Sequence, residues 1–196
     1  EHLRDRGYRT ALATDLLHIQ KPWMNFHRGF QHWEFVRGQE TDPWRTAPRG
    51  AIRPSDHIQP HLCDERYERM MGQYLANTRD WRGEEDTFCA RVCRRAAEYV
   101  EDLAAGGDPF LLWVDLFDPH EPFDPPPAYL AKYWRDPLPT PGRYLFGYGV
   151  DSSRIRPEDV PLIRACYSAE VTLVDRWTGH LLETIRLAGL MDNTVI

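Results

Sequence analysis

The sequence predicts an α/β fold with a mostly parallel sheet flanked by helices. Strand-sized apolar segments alternate with long helical patterns along the 196 residues, which is typical of βαβ units. The segment 110–117 is almost continuously apolar, as expected for a strand that is covered on both faces of a parallel sheet. With 42% hydrophobic residues, a chain of this length can bury a substantial core.

The first predicted strand occupies 8–14. It follows a helical turn that Gly7 ends, because glycine readily adopts the left-handed conformation found after a helix. The next segment, 15–61, contains five prolines among many aromatic, His and Arg residues, and it predicts a long irregular insertion. Irregular segments of this length inside a domain are usually functional.

The rest of the chain predicts further helices and strands. They are, in order, a helix over 62–77, a helix over 84–106, a strand over 109–117, a short helix over 128–134, a long helix over 157–188 and a last strand that begins near Thr194. The long helix is bounded by Pro157, which suits the first helical position, and by Gly189, which suits the stop.

Both ends predict that residues 1–196 are an internal part of a larger catalytic domain, truncated on either side. The turn before Gly7 has no start, and the apolar run at Thr194 stops where a strand should be under way. No leader identifies a compartment, so cytoplasmic and periplasmic locations both stay open. A net charge of −6 and the absence of any apolar run near the roughly 20 residues of a membrane span predict no nucleic-acid partner and no membrane span.

The sharpest candidate for chemistry is His120. It follows the apolar strand within the sequence Asp118-Pro-His-Glu-Pro122, and ligands of open α/β sheets bind beyond the carboxyl ends of strands. The flanking prolines restrict the backbone, so the imidazole is held with little freedom to lose. Such a ring can bind an anionic oxygen or donate a proton to a leaving group. The alternative is a loop histidine that only packs or caps.

A second candidate group follows the first strand. Asp15, His18 and Lys21 lie just beyond its end, and His18 and Lys21 could together clamp an anion, unless they only decorate the surface. The sequence has no Gly-rich phosphate loop, no nucleophile elbow and no zinc constellation. It therefore predicts no complete catalytic machinery and no metal ligand within these residues.

Four segments in order resemble motifs of the sulfatases, the formylglycine-dependent branch of the alkaline-phosphatase superfamily. They are 7–11 (the family's GYxTA strand), 25–33 (its GF element), 109–122 (its strand and PH-x-P loop) and 167–195 (the helix and strand that lead into its DHG segment). The resemblance spans almost the whole chain and implies the partial fold of that family.

The resemblance implies a sulfuric ester hydrolase that acts on a small-molecule or carbohydrate sulfate ester. In the family, a hydrated formylglycine attacks sulfur and a divalent cation, usually calcium, is bound beside it. Neither the formylglycine motif nor the DHG segment lies in this sequence, so the isolated segment is expected to be inactive. The matching residue here is His120, which in the family contacts the sulfate and can assist the leaving oxygen.

One motif departs from the family. The usual GKWH after the GYxTA strand is absent, with Asp15 in the place of its lysine and Leu17 in the place of its histidine. We expect His18 and Lys21 to substitute and, with Asp15, to contribute to substrate binding. The departure leaves two alternatives open. One is a phosphodiesterase or phosphonate monoester hydrolase of the same superfamily, and the other is a degenerate, non-catalytic relative.

Overall fold

A computed structural model of the protein describes residues 2–141 and 143–196 as an α/β fold. Its strands are β1 (Arg9–Thr14), β2 (His32–Phe35) and β3 (Phe110–Asp115). Its α-helices are α1 (Leu17–Gln20), α2 (Glu65–Thr78), α3 (Phe88–Gly106), α4 (Pro127–Leu130) and α5 (Val160–Leu187). The predicted fold class is therefore confirmed.

The chain divides into two compact units. The first contains the residues up to Arg37 together with Glu85–Phe117 and Asp175–Ile196. The second contains Gly38–Glu84 and Asp118–Val174. The first unit holds the sheet, and the second holds α2, α4 and the loop that contains His120.

The sheet of the first unit has the order β2-β1-β3, and both pairings are parallel. This arrangement confirms the predicted parallel sheet. The register places Leu12 beside Trp33 on one side and Trp113 on the other. Leu12 is fully buried because β1 is the central strand, so the centre of the sheet forms the core of this unit.

Helix α3 contacts β1 and β3. Its buried side chains recur at helical spacing and form a continuous apolar stripe, which comprises Phe88, Cys89, Val92, Cys93, Ala96, Val100 and Leu103. Gly107 ends the helix with φ of 73°, and its N–H donates to the Ala104 carbonyl. Full burial of one large apolar side chain stabilises a fold by about 1.5–3 kcal/mol, so this stripe is a major part of the unit's stability.

Two predicted details are wrong. β3 was expected to be covered on both faces, but it is a flanking strand of the three-stranded sheet, and Trp113 is 46% exposed. An apolar run indicates an affinity for burial and does not reveal which strand is central. At the end of the described chain, residues from Thr194 to Ile196 form no strand, and the Val195 side chain is exposed.

The segment 15–61 contains short elements that the sequence did not predict. Helix α1 lies within it, and β2 joins the sheet as a four-residue strand. Among the described residues, no helix combines the length and apolar character that crossing a membrane requires.

In the second unit, helix α2 begins at a side-chain cap. Asp64 accepts the Tyr67 N–H at 2.9 Å, which satisfies one of the free donors of the first turn. Tyr67 is fully buried, and its hydroxyl donates to the Leu145 carbonyl at 2.7 Å. These contacts fix α2 against the segment around Leu145.

Candidate functional site

His120 lies in the loop of the second unit that the sequence identified. Its Nδ1–H donates to the Glu121 carbonyl at 2.8 Å, and the Glu121 carboxylate lies 3.4 Å from the same nitrogen. The side chain is 50% exposed, and its ring lies edge-on to Tyr148, with 6.4 Å between the ring centroids. The imidazole is therefore held within its own loop and is accessible to a solute.

The hydrogen bond to the Glu121 carbonyl determines the tautomer of the ring. A carbonyl only accepts, so Nδ1 carries the proton, and Nε2 is the nitrogen that can take up and release a second one. When the ring is protonated, the Glu121 carboxylate forms an ion pair with it. The arrangement suits an imidazolium that binds an anionic oxygen or donates a proton to one.

Both ends of the His120 loop are held by buried side chains. At the start, the Gln39 amide donates to Asp118 at 2.8 Å. At the end, the Asp124 N–H donates to the Glu170 carboxylate of α5 at 2.8 Å. A hydrogen bond to a charged carboxylate, such as that to Asp118, is stronger than one between neutral groups. Together the two contacts fix the loop on both sides of the imidazole.

The end of the loop rests on a cluster of buried charges. Asp124 is 5% exposed, accepts a hydrogen bond from the Tyr74 hydroxyl at 3.2 Å and pairs with Arg143 at 3.0 Å. Burial raises the pKa of Asp124 to about 6, although the guanidinium of Arg143 opposes the rise. Burial, with the charges of Asp118 and Asp124, also raises the pKa of Glu170 well above its ordinary value. The cluster therefore keeps Glu170 protonated to a higher pH than an exposed glutamate.

A polar turn at residues 38–42, which carries no motif in the sequence, contacts the start of the loop through Gln39. Gln39, Glu40 and Asp42 are 1%, 7% and 1% exposed, and Glu40 has a positive φ of 53°. The side chain of Asn77 on α2 donates to the carbonyls of Gly38 and Asp42 at 2.9 and 2.8 Å. Burial of polar residues in an irregular segment produces no hydrophobic periodicity, so it cannot be predicted from spacing. The one feature of the sequence that could have pointed to this turn is the run of polar side chains after Gly38.

Tyr148 borders the imidazole on another side. Burial and the negative charges of Glu40 and Glu121 raise the pKa of its hydroxyl, so the phenol stays neutral across the physiological range. A neutral phenol beside His120 adds no negative charge that would repel an anion.

The strand-end residues of the first unit form a separate group. Asp15 is fully buried and accepts the Phe117 N–H at 2.8 Å, so it fixes the segment that follows β3. Thr14 and Asp115 are register partners at the ends of β1 and β3, with 3.5 Å between the Thr14 hydroxyl and the Asp115 carboxylate. The parallel sheet thus brings polar groups together at its carboxyl edge, as the strand-end rule predicts.

His18 and Lys21 lie together on the surface of the first unit. The Lys21 ammonium is 3.4 Å from His18 Nδ1, and both side chains are exposed. The His18 ring also lies near that of Phe117, with 6.4 Å between the centroids. The predicted pair is therefore present, and its substrate-binding role stays a prediction.

The described residues do not by themselves fit a bound cation. Within 2–141 and 143–196, no three or more His, Cys, Asp or Glu side chains form a group that could hold a metal ion. Asp124 and Glu170 belong to a buried cluster with the guanidinium of Arg143, which supplies positive charge there.

No protein-family model matches the sequence. A stretch of 47 residues is 38% identical to a curated protein of Escherichia coli (strain K12), "Uncharacterized sulfatase YidJ". The stretch covers 24% of this chain and 10% of the relative. The predicted sulfatase resemblance is therefore confirmed as homology over part of the chain.

The fold is similar to that of a larger solved protein. A crystal structure of Ps i-CgsB in complex with k-i-k-neocarrahexaose superposes with a TM-score of 0.50 at 20% identity. The match covers 98% of this chain and 37% of the other. The chain thus spans about a third of that protein's length, and the similarity confirms the expected partial α/β fold.

Proposed function

We propose that this chain is part of a sulfuric ester hydrolase that cleaves a sulfate monoester, with His120 in contact with the ester. The observation that carries the proposal is the position of the imidazole. It is half-exposed in a loop with both ends fixed, and the loop matches the family's PH-x-P motif. The homology to a sulfatase over 47 residues supports the reaction class.

The role proposed for His120 follows from its tautomer. Nδ1 is committed to the Glu121 carbonyl, so Nε2 of the protonated ring is the atom that donates to the ester. Sulfate ester cleavage leaves negative charge on the departing oxygen, and a donor at that oxygen lowers the barrier. General acid assistance typically contributes about 10²–10⁴-fold in rate.

The remaining catalytic parts are proposed to lie outside these 196 residues. The proposal includes a formylglycine nucleophile and a divalent cation, calcium being the family's usual choice, on other parts of the full-length protein. It rests on the family resemblance and on the limited span of this chain, which covers 37% of the solved relative.

The proposed substrate class is a carbohydrate sulfate ester. The solved relative is in complex with a neocarrahexaose, an oligosaccharide of carrageenan type. Carrageenans are sulfated carbohydrates, so that complex favours a sugar over a simple aryl group as the alcohol part of the ester. His18 and Lys21, which are exposed, are proposed to contribute to binding the substrate, whereas Asp15 is buried and is proposed to fix the segment that follows β3.

One observation favours a second candidate, a phosphodiesterase or phosphonate monoester hydrolase of the same superfamily. Asp15 and Leu17 are buried at the positions of the family's cationic pair, so the set of groups that bind the anion differs from the usual one. The deciding experiment assays the full-length protein with an aryl sulfate and an aryl phosphate diester. Sulfate hydrolysis is expected, and hydrolysis of the diester alone would contradict the first proposal.

A further inference from the structure

We infer that Gln39 is a positioning residue for His120, acting through the hydrogen bond from its amide to Asp118. The inference deepens the proposed function and rests on it, because it concerns how the ring proposed to contact the ester is held. It also joins the polar turn 38–42 to the site.

The contact joins a buried donor, Gln39, to a half-buried acceptor, Asp118. Gln39 is 1% exposed, and 2.8 Å separates its Nε2 from Oδ1 of Asp118. A hydrogen bond to a charged acceptor typically contributes about 1.5–3 kcal/mol. The two residues are 79 positions apart in sequence, so this bond is a tertiary constraint on the loop.

The constraint reaches His120 through a stiff link. Only Pro119 separates Asp118 from His120, and the pyrrolidine ring fixes its φ. The imidazole donates its hydrogen bond to the Glu121 carbonyl, which belongs to the same loop. The ring therefore moves with the loop. A displacement at Asp118 is therefore passed to the imidazole.

Gln39 is itself fixed from two directions. Its Oε1 accepts the Glu40 N–H at 3.2 Å, and this sets the orientation of the amide. The Asn77 side chain holds the carbonyls at both ends of the turn, Gly38 and Asp42. Helix α2 thus supports the turn, the turn orients Gln39, and Gln39 orients the His120 loop.

The near-isosteric change Gln39→Glu tests this role in the full-length protein. It replaces the donor with a carboxylate that faces Asp118, and two adjacent carboxylates repel unless they share a proton. Asp124 and Glu170 also act on Asp118 electrostatically, and Glu40 adjoins the new carboxyl, so the acidic surroundings favour its protonation. The loop should be displaced at high pH and restored at low pH.

We expect the kcat of Gln39→Glu, relative to wild type, to fall roughly tenfold or more from pH 5.5 to pH 8, since misplacement by about 1 Å can cost about 10²-fold. KM should change much less, and Gln39→Ala should lower kcat at every pH. The matched control is Gln59→Glu, because Gln59 donates to Asp159 at 3.1 Å and its acceptor is not in the His120 loop. Equal pH profiles for the two Glu variants, or wild-type kcat in Gln39→Ala, would overturn the inference.

A second readout separates this inference from the proposed function. The imidazole signal of His120 in ¹⁵N-edited NMR is identified by its loss in His120→Asn. Between pH 5.5 and pH 8, the chemical shift of this signal should change with pH differently in Gln39→Glu than in wild type and Gln59→Glu. If the protein hydrolyses neither ester, the proposed function fails, but the NMR result still decides whether Gln39 positions the His120 ring. An imidazole signal that is the same in all three proteins would overturn the positioning role.

Discussion

The buried carboxyl of Asp124 makes the free energy of unfolding depend on pH in an unusual direction. Burial raises its pKa from 3.8 to about 6, so the folded protein holds the proton more tightly than the unfolded chain does. Stability from this group is complete below the unfolded pKa and is lost as pH rises through the folded pKa. Each pKa unit corresponds to about 1.4 kcal/mol, which gives a total loss of about 3 kcal/mol.

The change that isolates this effect is Asp124→Asn, because the amide resembles the protonated acid and does not titrate. From these two pKa values, the contribution of the wild-type carboxyl to the free energy of unfolding falls by about 2 kcal/mol between pH 4.5 and pH 7. The stability of wild type minus that of the variant should therefore fall by about 2 kcal/mol over this range. The lost ion pair with Arg143 shifts the variant's stability but does not create this slope.

Urea unfolding at a series of pH values measures this difference, since the carboxyls that do not interact with Asp124 titrate alike in both proteins and cancel. Asp151→Asn is the matched control, because hydrogen bonds from Ser153 lower the pKa of Asp151. The contribution of Asp151 is therefore lost only as the pH falls below the ordinary range of a carboxyl, and its wild type minus variant difference should stay nearly constant between pH 4.5 and pH 7. A wild-type minus Asp124→Asn difference that is constant or rises with pH would refute the reasoning.

Two further results are expected. The isolated 196-residue chain should bind calcium weakly or not at all, because its described residues form no group that could hold a metal ion; one tight stoichiometric site by calorimetry would contradict this. Asn77→Ala should lower the free energy of unfolding by about 2–4 kcal/mol, because it removes the donors to two carbonyls of the buried turn 38–42. Chemical denaturation with Arg69→Ala, at an exposed position of the same helix, as the reference tests this, and equal losses in the two variants would count against it.

Much of the fold could be predicted because local chemistry decides it. Gly189 ends α5 with φ of 71°, and the Leu190 N–H reaches back to the Ile185 carbonyl, as expected where glycine ends a helix. The parallel sheet follows from strands separated by a long helix. The exposure of Trp113 could not be predicted, because it depends on which strands flank β3.

The candidate site was predictable only in part. His120 can be singled out as a candidate because prolines and a strand end mark it locally in the sequence, and its role stays a prediction. Gln39 and Asn77 could not be predicted, because their structural role depends on hydrogen bonds to residues far away in the chain. Gln39 also lies in an irregular segment, where polar residues give no periodic pattern. Asp15 was found at the strand end, and the structure adds that it is buried against the Phe117 N–H.

The central claim is that Nε2 of His120 protonates the departing oxygen of a sulfate ester. The most direct measurement is the rate of full-length wild type and His120→Ala on aryl sulfates whose leaving groups span a range of pKa. A poor leaving group needs the proton most, so the loss of rate in His120→Ala should grow steadily as the leaving-group pKa rises. A loss of the same size for every leaving group, or no loss at all, would contradict the account.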